Sequence, residues 1–127
     1  MTDTQIVLSR GIYDLLKMQI KKRKLTKYNE EKLDQELKYA RQVNSKEIPE
    51  NIVAVDTSVV VTELETGEKF TYNFVAPEKA KAKNNTISIM SPIGVALLGY
   101  GEGAEVDWEM SDGIKKYRIE EVSNLQK

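Results

Sequence analysis

TISIMSPIGVALLGYGEG, residues 86–103, changes its hydrophobic period in the middle. Ile87 and Ile89 alternate with Ser88 and Met90, which predicts a strand. Ser91 then stands where a helix N-cap belongs. Pro92 stands at the first helical position, where its missing N–H and fixed φ are no handicap. Ile93, Val95, Ala96, Leu97 and Leu98 predict a short helix that is apolar nearly all round, and therefore buried. Gly99 suits the C′ position, free to take positive φ. Gly101 and Gly103 bracket a turn into the next strand. A buried helix held between two strands is the packing centre of a small α+β domain.

Working outward from it, residues 105–110 and 114–122 predict a hairpin closed at Ser111, Asp112 and Gly113, with Asp-Gly as the turn signal. Val106 and Trp108 alternate on one strand, Tyr117 and Ile119 on the other. Upstream, residues 58–64 (SVVVTEL) and 69–75 form a second hairpin that pivots at Gly67. Phe70, Tyr72 and Phe74 alternate with Lys69, Thr71 and Asn73, the pattern of a half-buried strand. Residues 77–85, rich in Lys and Ala, read as a loop, and residues 123–127 as a frayed tail. Five strands and one helix make an antiparallel sheet packed on a short helix.

Residues 5–8 read as a brief extended lead-in and Ser9 as an N-cap. Ile12, Leu15, Leu16, Gln19 and Ile20 then follow the stripe of an amphipathic helix. Asn29 reads as the cap of a second helix, with Glu30 and Glu31 favourable to the dipole of its first turn. Leu33, Leu37, Ala40 and Asn44 mark its inner stripe. Two such helices with a short connection predict an antiparallel helical hairpin, a short coiled coil. At roughly 15 residues per arm it would be about 22 Å long. Pro49 biases Ile48 to extended geometry, and beyond it the period changes from 3.6 to 2. The expected division is residues 1–46, the hairpin, and residues 47–127, the sheet domain, each with its own core.

The sequence has 127 residues, a formal net charge of −1, no cysteine and no histidine. This excludes disulfides, thiolate nucleophiles, imidazole acid–base chemistry and Cys- or His-ligated metals. A net charge so near zero gives no global attraction to nucleic acid or to an acidic membrane surface. No apolar run approaches the roughly 20 residues needed to span a bilayer, and the N-terminus lacks the layout of a signal peptide. A cytoplasmic protein is expected. Gly99, Gly101 and Gly103 follow the short helix instead of preceding it, the wrong order for a phosphate loop, so no cofactor is expected.

SPIGVALLG followed by GEGAEVDWEMSDGIKKYRIEEV resembles the C-terminal domain of the GreA/GreB transcript-cleavage factors. The resemblance runs from about Leu33 to Val122. In layout the chain is most similar to the Rnk proteins, labelled regulators of nucleoside diphosphate kinase, which carry this domain behind a shortened helical hairpin. The resemblance implies an FKBP-like fold. It also implies a non-enzymatic transcription regulator that docks on RNA polymerase at the rim of the secondary channel; a monomer is expected. An indirect contact with nucleic acid, through the polymerase, is compatible with it. Docking would fall on Ser91, Pro92, Ile93 and Gly94, although local helix-start chemistry explains Ser91 and Pro92 equally well. Two alternatives stand beside it: a true transcript-cleavage factor, and an interaction protein acting on nucleoside diphosphate kinase.

The cleavage factors carry an acidic pair at the hairpin tip that helps to hold magnesium. Here the tip carries Lys21, Lys22, Arg23, Lys24 and Lys27, with no acid between Leu15 and Asn29. Such a cluster suits phosphate or an acidic protein surface, or is simply a solvated turn. Glu30, Glu31 and Asp34 could be read as metal ligands, but the helix dipole explains them better. Trp108, Tyr72, Tyr117, Phe70 and Phe74 read as core aromatics in preference to a prolyl-isomerase pocket.

Overall fold

A computed structural model describes residues 5–125. The chain enters as β1 (Val7–Ser9) and turns at once into α1 (Arg10–Lys21). Ser9 is the N-cap, its hydroxyl accepting from the Ile12 N–H at 3.3 Å. Ile12 and Leu16 face inward, whereas Leu15 is exposed. Lys22 caps the C-terminus, and Arg23 takes the left-handed conformation, φ 57°, that reverses the chain.

The second helix, α2 (Lys27–Lys38), starts earlier than expected. Its N-cap is Thr26, whose hydroxyl accepts from the Asn29 N–H at 3.2 Å. Asn29 lies inside the first turn and is buried. The helix also ends earlier, because residues 41–43 leave it as β2 (Arg41–Val43), paired parallel with β1. Ala40 and Asn44, expected on the helical stripe, therefore lie outside the helix. An open strand beside them offers backbone pairing that outweighs a weak helical preference.

Beyond Pro49 come β3 (Thr57–Glu63), β4 (Lys69–Val75), β5 (Ile87–Ser88), α3 (Pro92–Leu97), β6 (Glu105–Met110) and β7 (Gly113–Asn124). The five-stranded sheet has the order β5-β4-β3-β7-β6. It is antiparallel except at one edge, where β5 pairs parallel with β4. That corrects the all-antiparallel expectation. The connection between them crosses back through two 3₁₀ turns, Pro77–Lys79 and Ala82–Asn84, so β5 runs the same way as β4. The end of β7 is not frayed over its described residues: Ser123 and Asn124 pair with Ser58 and Thr57. Gln126 and Lys127 lie outside the described residues.

The short helix forms as its local chemistry requires. The Ser91 hydroxyl accepts from the Gly94 N–H at 3.2 Å, Pro92 occupies the first turn, and Gly99 takes φ +89°. Residues 93–98 are all buried between the sheet and the hairpin. The core does not stop at Pro49. Ile6, Leu8, Ile12, Leu16, Leu33 and Leu37 belong to the same cluster as Val59, Phe74, Leu97, Trp108 and Ile119. β1 lies directly over the end of α3: a Cβ on Gly99 would fall 2.8 Å from Leu8 Cδ2 and 2.9 Å from Ile6 Cβ. The Val7 N–H also donates to the Gly99 carbonyl at 3.0 Å. The two segments named in the sequence meet in one core.

Asn29 shows how the hairpin is held. Its carboxamide acts as a neighbouring strand would at the edge of β6. Nδ2 donates to the Glu109 carbonyl at 2.9 Å, and Oδ1 accepts from the Glu109 N–H at 2.8 Å. Asn29→Ala leaves that donor and acceptor unpaired and is expected to cost about 1–3 kcal/mol. Urea unfolding measures this; a change below about 0.5 kcal/mol would mean that the contact holds nothing.

Candidate docking groove

Sequence reasoning singled out two features, the Ser91 and Pro92 corner and the basic turn between α1 and α2. The fold brings Pro92 of the one and Lys24 of the other to one place. An open groove of about 390 Å³ lies between the turn, the start of α3 and β6. Its apolar lining comes from Leu25, Met90, Pro92, Val95, Trp108 and Met110. Gln19, Lys24, Thr26, Asn29, Glu109 and Ser111 supply its polar lining. The Gln19 side chain reaches across to the Met90 sulfur, Nε2 to Sδ 3.8 Å, tying α1 to this corner.

Each wall has a local cause. Met90 follows β5 just before the Ser91 cap, so it cannot enter the sheet and lies at the groove. Met110 is the last residue of β6, paired with Gly113 across the hairpin end. Leu25 sits between the left-handed Arg23 and the Thr26 cap, and is half-buried as the turn folds against the sheet. Two flexible thioethers beside a proline make a wall that can adapt to an inserted side chain.

Of the four residues expected to dock, Pro92 is exposed and Ser91 half-buried. Ile93 and Gly94 are buried. They shape the corner from beneath and present no side chain to a partner. Lys21, Lys22, Arg23, Lys24 and Lys27 are all exposed. None of the five makes an ion pair among the described residues; the pairs lie on α2, between Lys32 and Glu36, and on the sheet. Met90, Met110 and Leu25 are the site residues that sequence reasoning missed. Their only signal was an apolar side chain at an element end, next to a turn.

Glu30 lies in the first turn of α2, within reach of the helix dipole. Among the described residues, no three acidic side chains come together as metal ligands would. Of the five aromatics, Phe74, Trp108 and Tyr117 are buried. Phe70, Tyr72 and Phe74 stack along β4 with centroids 6.1 and 5.8 Å apart. Burial pushes the Tyr72 and Tyr117 hydroxyls above their ordinary range. Only Trp108 borders the groove.

A second polar cluster is structural. Lys32 Nζ lies 3.0 Å from the Tyr100 hydroxyl and 3.8 Å from Glu36. Burial lowers the Lys32 pKa, against the opposing charges of Glu36 and Asp107. Burial raises that of Tyr100 strongly, reinforced by Glu36. The cluster ties α2 to the turn after α3, and none of its three residues lines the groove.

A helical hairpin mounted on a curled five-stranded sheet, with a groove where they meet, is an architecture shared with known proteins. Residues 48–124 match the family described as "Transcription elongation factor, GreA/GreB, C-term". The chain belongs to this family. Transcription elongation factor GreA of Clostridium botulinum strain Hall is 36% identical over 91 residues, 72% of this chain and 57% of that protein. The regulator of nucleoside diphosphate kinase of Escherichia coli K12 is 33% identical over 82 residues, 65% of this chain and 60% of that protein. Among solved structures, a GreA/GreB elongation factor from Nitrosomonas europaea superposes with TM-score 0.61 and 29% identity. The match covers 94% of this chain and 98% of that one. The chain spans about half the length of the curated relatives it matches. Among the described residues, no helix is long and apolar enough to cross a membrane.

Proposed function

We propose that this protein docks on RNA polymerase at the rim of the secondary channel and regulates transcription there, without promoting transcript cleavage and without enzymatic activity of its own. Family membership supports the partner. One observation carries the site: Pro92, where the resemblance sets the contact, is an exposed edge of an adaptable apolar groove.

The reading against cleavage rests on charge and reach. Assistance to metal-dependent cleavage requires oxygen ligands for a hard cation such as magnesium. The turn instead carries five cations, which repel a dication. Glu30 and Glu31 follow on α2, where the helix dipole accounts for Glu30, in the first turn. Each helix has 12 residues, giving an arm of about 18 Å. That is shorter than the 22 Å read from the sequence, and well short of the long coiled coil of the cleavage factors.

Pro92→Glu is expected to weaken polymerase binding about tenfold or more, since it sets a charge against the apolar contact. The fold should survive, because an acid suits the first turn of a helix. Retention of RNA polymerase by parent and variant, followed by competition with GreA, is the test. Failure to retain polymerase, or retention that GreA does not displace, would remove the reading.

A further inference from the structure

We infer that the basic turn and the apolar groove form one composite surface, and that it takes an acidic protein segment anchored by an apolar side chain. The inference rests on the docking role proposed above and adds the chemistry of what docks.

The turn is not a separate finger. Lys24 and Leu25 line the same groove as Pro92 and Met110. Lys24 is the cation that lines the groove, and Lys22, Arg23 and Lys27 lie within three residues of it in the chain, whereas Lys21 lines a separate hollow with Asp14 and Asp34. Lys21, Lys22, Arg23, Lys24 and Lys27 are exposed and unpaired among the described residues, whereas Lys32, Lys115, Lys116 and Arg118 each have a carboxylate partner. A partner therefore gains attraction there without first breaking an ion pair.

The floor decides between protein and nucleic acid. Phosphates would satisfy the cations but leave Met90, Met110, Leu25 and Pro92 without contacts. Single-stranded nucleic acid binds where aromatic faces are open for stacking. Trp108, the aromatic of the groove, is only 3% exposed. The apolar lining suits an apolar side chain, and carboxylates next to it in the partner would face Lys24 and the turn. Glu109, on the β6 side, is the one acid lining the groove. The partner's negative charge therefore lies towards the turn.

Fluorescence anisotropy with the full chain tests this. The probes are a short amphipathic helical peptide of Leu and Glu, the same peptide with Lys for Glu, the same with Ala for Leu, and a single-stranded RNA oligonucleotide. Only the Leu/Glu peptide is expected to bind, and more weakly as salt rises. The double variant Lys24→Glu with Lys27→Glu should lose about tenfold or more in affinity for it. Both side chains are exposed, and an acid at Lys27 favours the start of α2, so the melting temperature should hold or rise. Preference for the RNA, equal binding of the Lys or Ala peptides, or unchanged affinity in the double variant would overturn the inference. Polymerase retention lost in Pro92→Glu but unchanged in the double variant would overturn it too, while leaving docking intact. Turn-dependent peptide binding in a protein that does not retain polymerase would uphold the surface and remove the polymerase.

Discussion

Gly94→Ala is expected to destabilise the protein by about 3 kcal/mol or more, at the upper end of what overpacking costs. A Cβ at Gly94 would fall 2.4 Å from the Ile89 carbonyl oxygen, 2.7 Å from its carbon and 2.9 Å from its Cα. All three are backbone atoms, so no side-chain rotation relieves the clash. Neither side can yield cheaply. The Ile89 N–H donates to the Val75 carbonyl at 2.9 Å, so moving it disturbs the β4 edge. The Gly94 N–H donates to the Ser91 hydroxyl, so moving α3 breaks its cap. Gly11, on α1, meets nothing within 4 Å. Gly11→Ala should therefore stabilise by up to about 1 kcal/mol, through helix propensity alone. Urea unfolding of the two variants reads both effects. A Gly94→Ala loss below about 1 kcal/mol would show that α3 is not seated against Ile89 as described.

A chain begun at Glu47 is expected to melt about 20 °C or more below the full protein. Six buried apolar side chains, Ile6, Leu8, Ile12, Leu16, Leu33 and Leu37, would be gone. The surface they cover around Gly99 and β6 would open to water, at about 25 cal/mol per Å² of apolar area. The Asn29 bonds to Glu109 would be lost with them. Against a total stability of about 5–15 kcal/mol, a loss of several kcal/mol at about 4–8 °C each gives that shift. A fragment melting within about 5 °C of the parent would restore the two separate cores that the change of period at Pro49 suggested.

What was legible in the sequence was what local chemistry decides. Ser9, Ser91, Pro92 and Gly99 do their work within a few residues of themselves, and each sits in the structure where its side chain or backbone predicts. Thr26 and Asn29 are both capping residues, and the local pattern favoured the wrong one. What fixes Asn29 is Glu109, 80 residues further along the chain, and no window of sequence contains both. The β1–β2 pairing and the parallel edge at β5 were hidden for the same reason, since each depends on a partner chosen by the tertiary fold. The site was half legible. Ser91, Pro92 and the basic turn stood out by type and spacing. That Lys24 and Leu25 share a groove with Met90 and Met110 follows only once the hairpin is folded onto β6.

Occupancy of the polymerase entrance without cleavage is the central claim, and a stalled elongation complex supplied with magnesium tests it most directly. Transcripts are scored for shortening with this protein, with GreA, and with both. No shortening is expected with this protein alone, and slower shortening by GreA when both are present, through occupation of one entrance. Shortening stimulated by this protein, and lost when Glu30 and Glu31 are both changed to Gln, would contradict it and place a metal site at the start of α2.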